Sequence, residues 1–268
     1  MTSLLLNIAH AIDHLVLLIF ATAVGAIAAD FEVGRWEDLM PYAAGAFVMF
    51  GLGSVPSGRL GDLWGRRSMM LIFFFGIGVS MMLVALTQGP WQMAAALALM
   101  GAFASIYHPV GIPMLVQNAA RPGHTIGVNG LAGNMGIAVA AISTGLLVQF
   151  AGWRAAFVVP GLLSILCGLI FMKVAPAETE SPARRASRQL AISEQDRRRA
   201  FLVMTLTAVT GGLIFNFTTN GNGELLKSRL PLLMEQPAAI HLRGQIFLLE
   251  QKLHLSRLGY KMKGICVT

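Results

Sequence analysis

The sequence predicts an all-α membrane protein, in which a six-helix bundle is followed by a seventh transmembrane helix and an atypical tail. Hydrophobic residues make up 55% of the 268 residues and charged residues only 12%, whereas a soluble domain typically has about 25% charged residues. The mean hydropathy is +0.66. Apolar runs of ~20 residues recur along the chain, and that length lets a helix cross the ~30 Å hydrocarbon core of a bilayer.

Seven apolar segments are predicted to span the membrane. Each is expected to be a helix, because a spanning backbone must close its hydrogen bonds within the segment. The ends of the helices are marked by prolines and glycines, at Pro41, Gly89-Pro90, Arg121-Pro122-Gly123 and Gly152. The predicted spans are residues 4–28, 40–60, 69–88, 91–118, 125–150, 154–173 and 200–219. The first is predicted to be a retained helix, since no basic segment precedes it and no small-residue cleavage site follows it.

Loop charges predict the orientation of these helices. Basic residues follow the second, fourth and sixth spans, whereas the loop after the first span is acidic and the loop after the third is nearly uncharged. Because basic loops stay on the cytoplasmic side, the chain is predicted to be a multi-pass inner-membrane protein with a cytoplasmic N-terminus. Arg154, in the turn where the sixth predicted span begins, runs against this bias.

Four parts are predicted along the chain. They are the six-helix transmembrane bundle (1–173), a solvated cytoplasmic linker (174–199), the seventh helix (200–220) and the tail (221–268). The formal net charge of +7 comes from Lys173, the linker and the tail, because residues 1–172 and 200–220 together hold six basic and six acidic residues. Membrane topology accounts for a basic linker, so nucleic acid is not predicted as a partner.

The tail is atypical because it is basic and has no apolar run of about 18 residues, although seven spans would place it outside the cell. From His241 it becomes a mixed, amphipathic sequence, HLRGQIFLLEQKLHLSRLGYKMKG. One hypothesis is that the reading frame shifts at about residue 241 and that the chain is a truncated gene fragment. The alternative is an interfacial amphipathic helix.

A short charged segment, GRLGDLWGRR at residues 58–67, lies between the second and third spans. It resembles the loop signature G-x-L-a-D-r-x-G-r-[RK] of the major facilitator superfamily of secondary transporters. The matching positions are Gly58, Leu60, Asp62, Gly65, Arg66 and Arg67. The resemblance implies a gating loop, in which Asp62 holds the start of the third helix and a partner arginine and so locks two halves of a carrier on the cytoplasmic side. The two arginines also suit anchoring at anionic headgroups, and the alternative is that they only set topology.

The first predicted helix carries four polar residues, which are costly inside a membrane. Asn7, His10 and His14 share one face by the i, i+3, i+7 rule, and Asp13 lies beside it. This face is predicted to look into the bundle, with Asp13 as a proton carrier and His10 or His14 as its partner or as a substrate contact. The alternative is that these residues are merely hydrated near the cytoplasmic interface.

The same residues match a metal-ligand spacing, H-x-x-[ED]-H, on one helix. The short motif is weak evidence, and no third ligand is evident from the sequence. No metal site, cofactor or catalytic residue is therefore predicted.

The fourth predicted helix, GAFASIYHPVGIPML, has a small residue or a proline at every fourth position, namely Gly101, Ser105, Pro109 and Pro113. Proline removes a backbone hydrogen bond and bends a helix, and the freed carbonyls can line a cavity. Together with the histidines of the first helix, this segment resembles the fosmidomycin-resistance branch of the same superfamily. The resemblance implies that His108 lines the substrate path, and the alternative is a histidine bonded to kinked backbone.

The fifth predicted helix carries glycines at every third position, Gly127, Gly130, Gly133 and Gly136. They are predicted to let another helix pack closely. Asn129 and Asn134 are predicted to face the substrate or proton path. The G-x-x-x-G-P-x-x-G-G signature of proton antiporters in the superfamily is not present, so the resemblance leaves the direction of transport open.

The resemblance implies secondary active transport of a small organic solute or drug by alternating access, with proton-coupled efflux as one form. Two six-helix halves rock around a midplane site in that mechanism. The chain is therefore predicted to correspond to an N-terminal half plus one helix and to be an inactive, truncated fragment. A competing hypothesis is a working half-transporter that pairs with a second half-transporter or with a second copy. It is predicted not to be an enzyme. The alternative classes are a membrane-embedded metalloenzyme and a non-transporting membrane assembly protein.

Overall fold

The computed structural model describes residues 1–117, 119–178, 181–183, 193–203, 205–207 and 210. The chain divides into two compact units, Met1–Gln189 and Leu190–Thr268. The described residues form helices and contain no strand, which confirms the predicted all-α class. Most of the predicted seventh span at 200–219 and all of the predicted tail at 221–268 lie outside the described residues.

The first unit begins with a long helix, α1 (Thr2–Asp30). A 3₁₀ helix (Trp36–Ala43) leads into α2 (Ala44–Trp64), and a single residue separates α2 from α3 (Arg66–Ala85). After α4 (Pro90–Ala104), a π-helical turn (Tyr107–Gly111) leads into the short α5 (Ile112–Val116). The last helix of the unit is α6 (Pro122–Val174).

The fifth and sixth predicted spans lie in one element, α6, of 53 residues. A straight helix of that length would measure about 80 Å, far more than the ~30 Å hydrocarbon core of a bilayer. The helix is broken at Gly152, whose φ of 81° and ψ of 165° are not helical. Glycine suits this position because a positive φ is costly for residues that have a Cβ. Gly152 therefore separates two spans, as predicted.

Length and composition identify five helical stretches of the described chain that could cross a membrane. Four of them coincide with the first four predicted spans, and α6 is long enough to cross twice. The structure thus supports the predicted six-helix bundle.

Small residues bring the helix backbones of the bundle close together, as is common in membranes. α1 lies along α6, where a Cβ on Gly136 would meet the backbone of Ala11. α2 lies along α4, where a Cβ on Gly101 would meet the backbone of Ala46. At these two crossings no larger side chain fits without moving one of the helices.

The four glycines of the fifth predicted span do not share one role. Gly133 packs against the ring of His10 and Gly136 against α1, which confirms the predicted packing for these two. A Cβ at Gly127 or Gly130 would meet no described atom within 4 Å, so close packing at these two positions stays a prediction. A three-residue spacing turns by about 300° on a helix of 3.6 residues per turn, so the four positions drift off a single face.

Large apolar side chains lie both inside and outside the bundle. Phe73 and Phe74 of α3 and Phe157 and Phe171 of α6 are fully buried. The outer face of α2 instead exposes apolar side chains, namely Phe47, Val48, Leu52 and Val55. Such a face suits contact with lipid tails, which are as apolar as the side chains themselves.

Arg154, the basic residue that runs against the predicted charge bias, is held by several contacts. Its Nη1 lies 2.9 Å from Oδ2 of Asp30, and its Nη2 donates to the carbonyl oxygen of Thr87 at 3.3 Å. The guanidinium group also lies 4.3 Å from the ring centroid of Trp153. Arg154 therefore joins the ends of α1 and α3 to α6, and Asp30 balances its charge.

In the second unit, residues 194–203 are helical. The Oγ of Ser193 accepts a hydrogen bond from the backbone N–H of Asp196 at 3.1 Å, as an N-cap serine does. Glu194 pairs with Arg198 one turn later at 3.0 Å. The helix therefore begins before residue 200, inside the range predicted as the cytoplasmic linker.

Candidate functional site

The residues predicted to form a gating loop lie mostly in helices. Gly58, Leu60 and Asp62 occupy the last two turns of α2. Gly65 is the only residue between α2 and α3, and its φ of 95° favours glycine. Asp62 is half-buried, and its side chain makes no hydrogen bond or ion pair with another described residue. Its predicted gating role stays a prediction.

The two arginines at the start of α3 bind the backbone of other helices. Nη1 of Arg66 donates to the carbonyl oxygen of Pro113 in α5 at 3.2 Å. Arg67 donates to two carbonyl oxygens at the end of α6, from Nη2 to Met172 at 2.6 Å and from Nε to Ala175 at 2.9 Å. These carbonyls belong to the end of a helix, where no further turn supplies an N–H partner. The arginines therefore join α3 to α5 and α6.

A second group of polar residues lies inside the bundle, where α1, the π-helical turn and α6 meet. It is called the polar cluster below and consists of Asn7, His10, Asp13, His14, Tyr107, His108 and Asn129. The predicted shared face of α1 is present, since Asn7, His10 and His14 all contribute to the cluster. Asn134 is exposed and has no hydrogen-bond partner among the described residues.

His10 is held in a defined orientation by α6. Its Nδ1 donates to the backbone carbonyl oxygen of Asn129 at 2.7 Å, and its ring stacks on that of Tyr107 with 4.8 Å between centroids. Because a carbonyl can only accept, Nδ1 carries a proton, and in the neutral ring Nε2 keeps its lone pair. That Nε2 lies 3.1 Å from Nε2 of His14.

Tyr107 and Asn129 form a buried hydrogen-bond network behind His10. The hydroxyl of Tyr107 donates to the carbonyl oxygen of Leu6 at 2.8 Å. Nδ2 of Asn129 donates to the Tyr107 hydroxyl oxygen at 2.7 Å and to Oδ1 of Asn7 at 2.9 Å. Sequence reasoning assigned no role to Tyr107, although a buried tyrosine hydroxyl regularly needs a partner. In the sequence, the signal for a role of Tyr107 is its position directly before His108.

Asp13 is fully buried, with a side-chain exposure of 0%. Neither of its carboxylate oxygens has a hydrogen-bond partner among the described residues. Oδ2 lies 3.4 Å from Nε2 of His108, whose side chain is 38% exposed. Burying a carboxylate without hydrogen bonds is costly unless an opposite charge balances it. His108 is the group in position to do so.

The π-helical turn places His108 opposite Asp13. Pro109 has no backbone N–H and cannot continue the α-helical hydrogen bonds after α4, and residues 107–111 adopt a π-helical turn instead. The interruption of the helix at the prolines is thus present as a π-helical turn, a feature that occurs frequently at functional sites, and the predicted bend stays a prediction. Beside it, the hydroxyl oxygens of Ser57 and Ser105 lie 3.2 Å apart and link α2 to the end of α4.

The structure also brings three histidines together. His10, His14 and His108 each place one possible ligand atom within 4.8 Å of the others. His108 is thus placed as a possible third ligand beside the H-x-x-[ED]-H spacing, which the sequence alone did not make evident. His108 lies almost a hundred residues further along the chain, and only the packing of the π-helical turn on α1 reveals it.

Curated relatives of the chain include three resistance proteins of bacteria. Puromycin resistance protein pur8 of Streptomyces alboniger is 30% identical over 36% of this chain and 20% of its own length. The tetracenomycin C resistance and export protein of Streptomyces glaucescens is 27% identical over 60% of this chain and 30% of its own length. Multidrug resistance protein MdtG of Escherichia coli is 29% identical over 45% of this chain and 30% of its own length. The chain thus matches less than a third of the length of each relative.

Among solved structures, the chain is similar to the proton:xylose symporter XylE bound to 6-bromo-6-deoxy-D-glucose. The TM-score is 0.57 at 16% identity, and the match covers 82% of this chain and 54% of that structure. This likeness concerns the fold alone.

A family model also matches the chain. The model described as Major Facilitator Superfamily matches residues 6–236, which is well over half of the sequence. The matched range includes residues 58–67 and the bundle of apolar helices. The protein therefore belongs to the Major Facilitator Superfamily of multi-pass membrane transporters.

Proposed function

We propose that this chain takes part in proton-coupled export of a drug-like organic molecule by alternating access. The mechanism requires two six-helix bundles that rock around a site between them. The described residues form one such bundle, and the second would come from another chain or from a second copy. The buried carboxylate of Asp13 opposite His108 is the observation that carries the proposal.

Asp13 and His108 are suited to exchange a proton. When both are charged, they attract each other across 3.4 Å, and when Asp13 is protonated, the buried carboxyl group is neutral and no longer needs an opposite charge. His108 is partly exposed whereas Asp13 is not, so a proton from outside would reach His108 first. Intramembrane ionisable residues commonly form such proton relays.

The positions of Asp13 and His108 explain how proton binding could be coupled to a conformational change of the bundle. Asp13 lies on α1, and His108 lies on the π-helical turn between α4 and α5. A change of charge on either alters the attraction between these elements. Asn129 and Tyr107 fix His10 beside them, so the rest of the cluster is pre-organised.

The class of substrate is proposed from the relatives. Their printed names concern resistance to puromycin, resistance to and export of tetracenomycin C, and resistance to multiple drugs. These names favour a small organic molecule as the substrate, and one of them favours export. The aromatic rings at the edge of the cluster suit such a molecule: Phe50 lies 6.0 Å from His108 between centroids. Asn134 remains a proposed contact on the exposed face of α6.

The orientation is part of the same proposal. The N-terminus would lie in the cytoplasm, and the joint between α2 and α3, with Arg66 and Arg67, would lie on that side of the inner membrane. Residues 1–173 would be the transport bundle and the segment from 174 to 199 a cytoplasmic linker. Asp62 would engage the second bundle when the cytoplasmic side closes.

The test uses everted inner-membrane vesicles that contain the full chain and an imposed pH gradient, with puromycin as the probe. Addition of puromycin is expected to dissipate the gradient, measured with a fluorescent pH indicator. Asp13→Asn is expected to remove this response, because asparagine cannot carry a proton. Ser143→Ala is the control, since among the described residues the Ser143 hydroxyl bonds only carbonyls of its own helix.

Two results would count against the proposal. Transport would be contradicted if vesicles with the chain responded no differently from vesicles without it. This comparison would be made for puromycin, for tetracenomycin C and for a panel of cationic dyes. If puromycin still dissipated the pH gradient in vesicles with Asp13→Asn, only the proposed role of Asp13 would be contradicted, and the proposal of transport would stand. Crosslinking in the membrane followed by native mass spectrometry is expected to show the second bundle, as a dimer or as a bound second chain.

A further inference from the structure

We propose that His10, His14 and His108, supported by Asp13, form a binding site for a divalent transition-metal ion such as Zn²⁺ or Co²⁺. The three side chains are called the histidine cluster below. The inference concerns binding of an ion by the purified chain and does not depend on transport.

The geometry of the histidine cluster is close to that of a metal site. Nε2 of His10 and Nε2 of His14 are 3.1 Å apart, and two nitrogens bound to one tetrahedral Zn²⁺ at 2.0–2.1 Å are separated by about 3.4 Å. All three possible ligand atoms lie within 4.8 Å of one another. The ring centroids form a compact triangle with sides of 4.8, 5.1 and 5.6 Å. Small rotations of the partly exposed His108 ring would close the remaining distance.

The spacing along the chain explains how two of the ligands come together. His10 and His14 are four residues apart on α1 and therefore lie on the same face. This is the spacing with which a helix supplies two histidine ligands to zinc. His108 adds the third ligand from the π-helical turn. Three protein ligands with one open position are the arrangement of zinc sites that keep a water or an exchangeable molecule.

The groups around the histidines resemble the outer shell of a metal site. A histidine that binds a metal through one nitrogen usually donates its other N–H to a carbonyl or a carboxylate. His10 does so, because its Nδ1 donates to the carbonyl oxygen of Asn129 and leaves Nε2 free to bind. His108 Nε2 lies 3.4 Å from the carboxylate of Asp13, which would orient His108 in the same way or bind the ion directly.

Charge balance supplies an independent argument. Asp13 is fully buried, and neither of its oxygens has a hydrogen-bond partner among the described residues. A divalent ion a few ångströms away would compensate this charge more strongly than one partly exposed histidine. His14 and His108 are only partly buried, so an ion could reach the site from one side.

The chemistry of the ligands selects the class of ion. Imidazole suits Zn²⁺, Cu²⁺, Ni²⁺ and Co²⁺, whereas Mg²⁺ and Ca²⁺ prefer oxygen ligands. Histidine must be neutral to bind a metal, so ion and protons compete for the same groups. If Asp13 and His108 carry protons as proposed above, a bound ion would keep protons from these residues and would inhibit proton-coupled transport.

The experiment is a Co²⁺ titration of the purified full chain in detergent, prepared with an affinity tag that contains no histidine. Tetrahedral Co²⁺ has strong visible absorption, so both stoichiometry and geometry are measured. One Co²⁺ per chain is expected, with displacement by Zn²⁺ and no competition from Mg²⁺. His14→Ala and His108→Ala are each expected to weaken binding by about tenfold or more, and Asp13→Asn by about tenfold.

The chain offers a matched control, because it contains six histidines. The other three are replaced together in the control variant, namely His124→Ala, His241→Ala and His254→Ala. This variant is expected to bind Co²⁺ as the unchanged chain does. Size-exclusion chromatography and thermal unfolding of each variant check that the bundle is intact, and His14→Gln replaces His14→Ala if that variant fails to fold.

Opposite results would overturn the inference. Binding that survives in intact His14→Ala or His14→Gln and His108→Ala, or that is lost in the control variant, would place the ion elsewhere. The absence of tetrahedral Co²⁺ absorption in the unchanged chain would also overturn it. Because the titration uses purified protein, its outcome is separate from transport: tetrahedral binding without any transport would contradict only the proposed function.

Discussion

Oδ2 of Asp13 lies 3.4 Å from Nε2 of His108, and the two residues differ sharply in exposure. The side chain of Asp13 is 0% exposed and that of His108 is 38% exposed. The buried carboxylate of Asp13 therefore depends on the partly exposed His108 for a balancing charge. Because His108 is the member of the pair that contacts the surroundings, it sets the charge balance in this part of the bundle. Mutations of these two residues are therefore the most informative ones.

A double-mutant cycle tests the dependence of Asp13 on His108. His108→Ala is expected to lower the free energy of unfolding by about 1–3 kcal/mol, because it leaves a buried carboxylate without its partner. Asp13→Asn removes that charge with little change of shape, so it is expected to recover most of the loss in the His108→Ala background. Thermal or denaturant unfolding in detergent measures both. Strictly additive effects would show that the two residues are not coupled.

The hydroxyl of Tyr107 is expected to matter more than its ring size. Tyr107→Phe leaves the carbonyl of Leu6 and one N–H of Asn129 without their partner, and it is expected to cost about 1–3 kcal/mol of unfolding free energy. Tyr42→Phe is the control, because its hydroxyl has no hydrogen-bond partner among the described residues. Equal stability of the two variants would mean that water replaces the lost hydroxyl without cost.

Two glycines of α6 are expected to respond in opposite ways to the same substitution. Gly136→Ala would push a Cβ against the backbone of Ala11 and is expected to destabilise the bundle by about 1–3 kcal/mol. Gly130→Ala meets no described atom within 4 Å, and it is expected to be neutral or to stabilise the helix by up to about 1 kcal/mol. Thermal unfolding of the two variants side by side is the measurement. A large loss in Gly130→Ala would show that this face is covered in the membrane.

The proposed orientation is tested by labelling single cysteines in intact cells, after Cys167 and Cys266 have been replaced by serine. A membrane-impermeant maleimide is expected to label Glu37→Cys, between α1 and α2, from outside. Arg121→Cys, at the start of α6, is expected to react only after the cells are permeabilised. Both positions are exposed, so access is limited by the membrane. Labelling of Arg121→Cys in intact cells would reverse the orientation.

The membrane spans could be predicted from the sequence because length and apolar composition are enough to define them. Gly152 was likewise predictable as a break, since a glycine next to Trp153 and Arg154 interrupts an otherwise apolar run. Composition does not predict the backbone conformation at the points where a helix is interrupted. Pro109 predicts an interruption of the fourth span, but whether the chain bends or forms a π-helical turn depends on the neighbouring helices.

The polar cluster shows the same limit within one site. Spacing along α1 predicts that His10 and His14 are neighbours, because that relation is local to a helix. The contacts of His10 with Asn129 and of Asp13 with His108 join different helices, and they depend on how far one helix slides along another. Gly133 sets part of that register, since it allows the ring of His10 to lie against α6.

The joint between α2 and α3 has no spare length. Gly65 alone connects the two helices, Arg66 is bonded to α5, and Arg67 is bonded to the end of α6. Four helices are thus linked at one end of the bundle through these contacts. A displacement of α3 would therefore be passed on to α2 through Gly65 and to α5 and α6 through the two arginines.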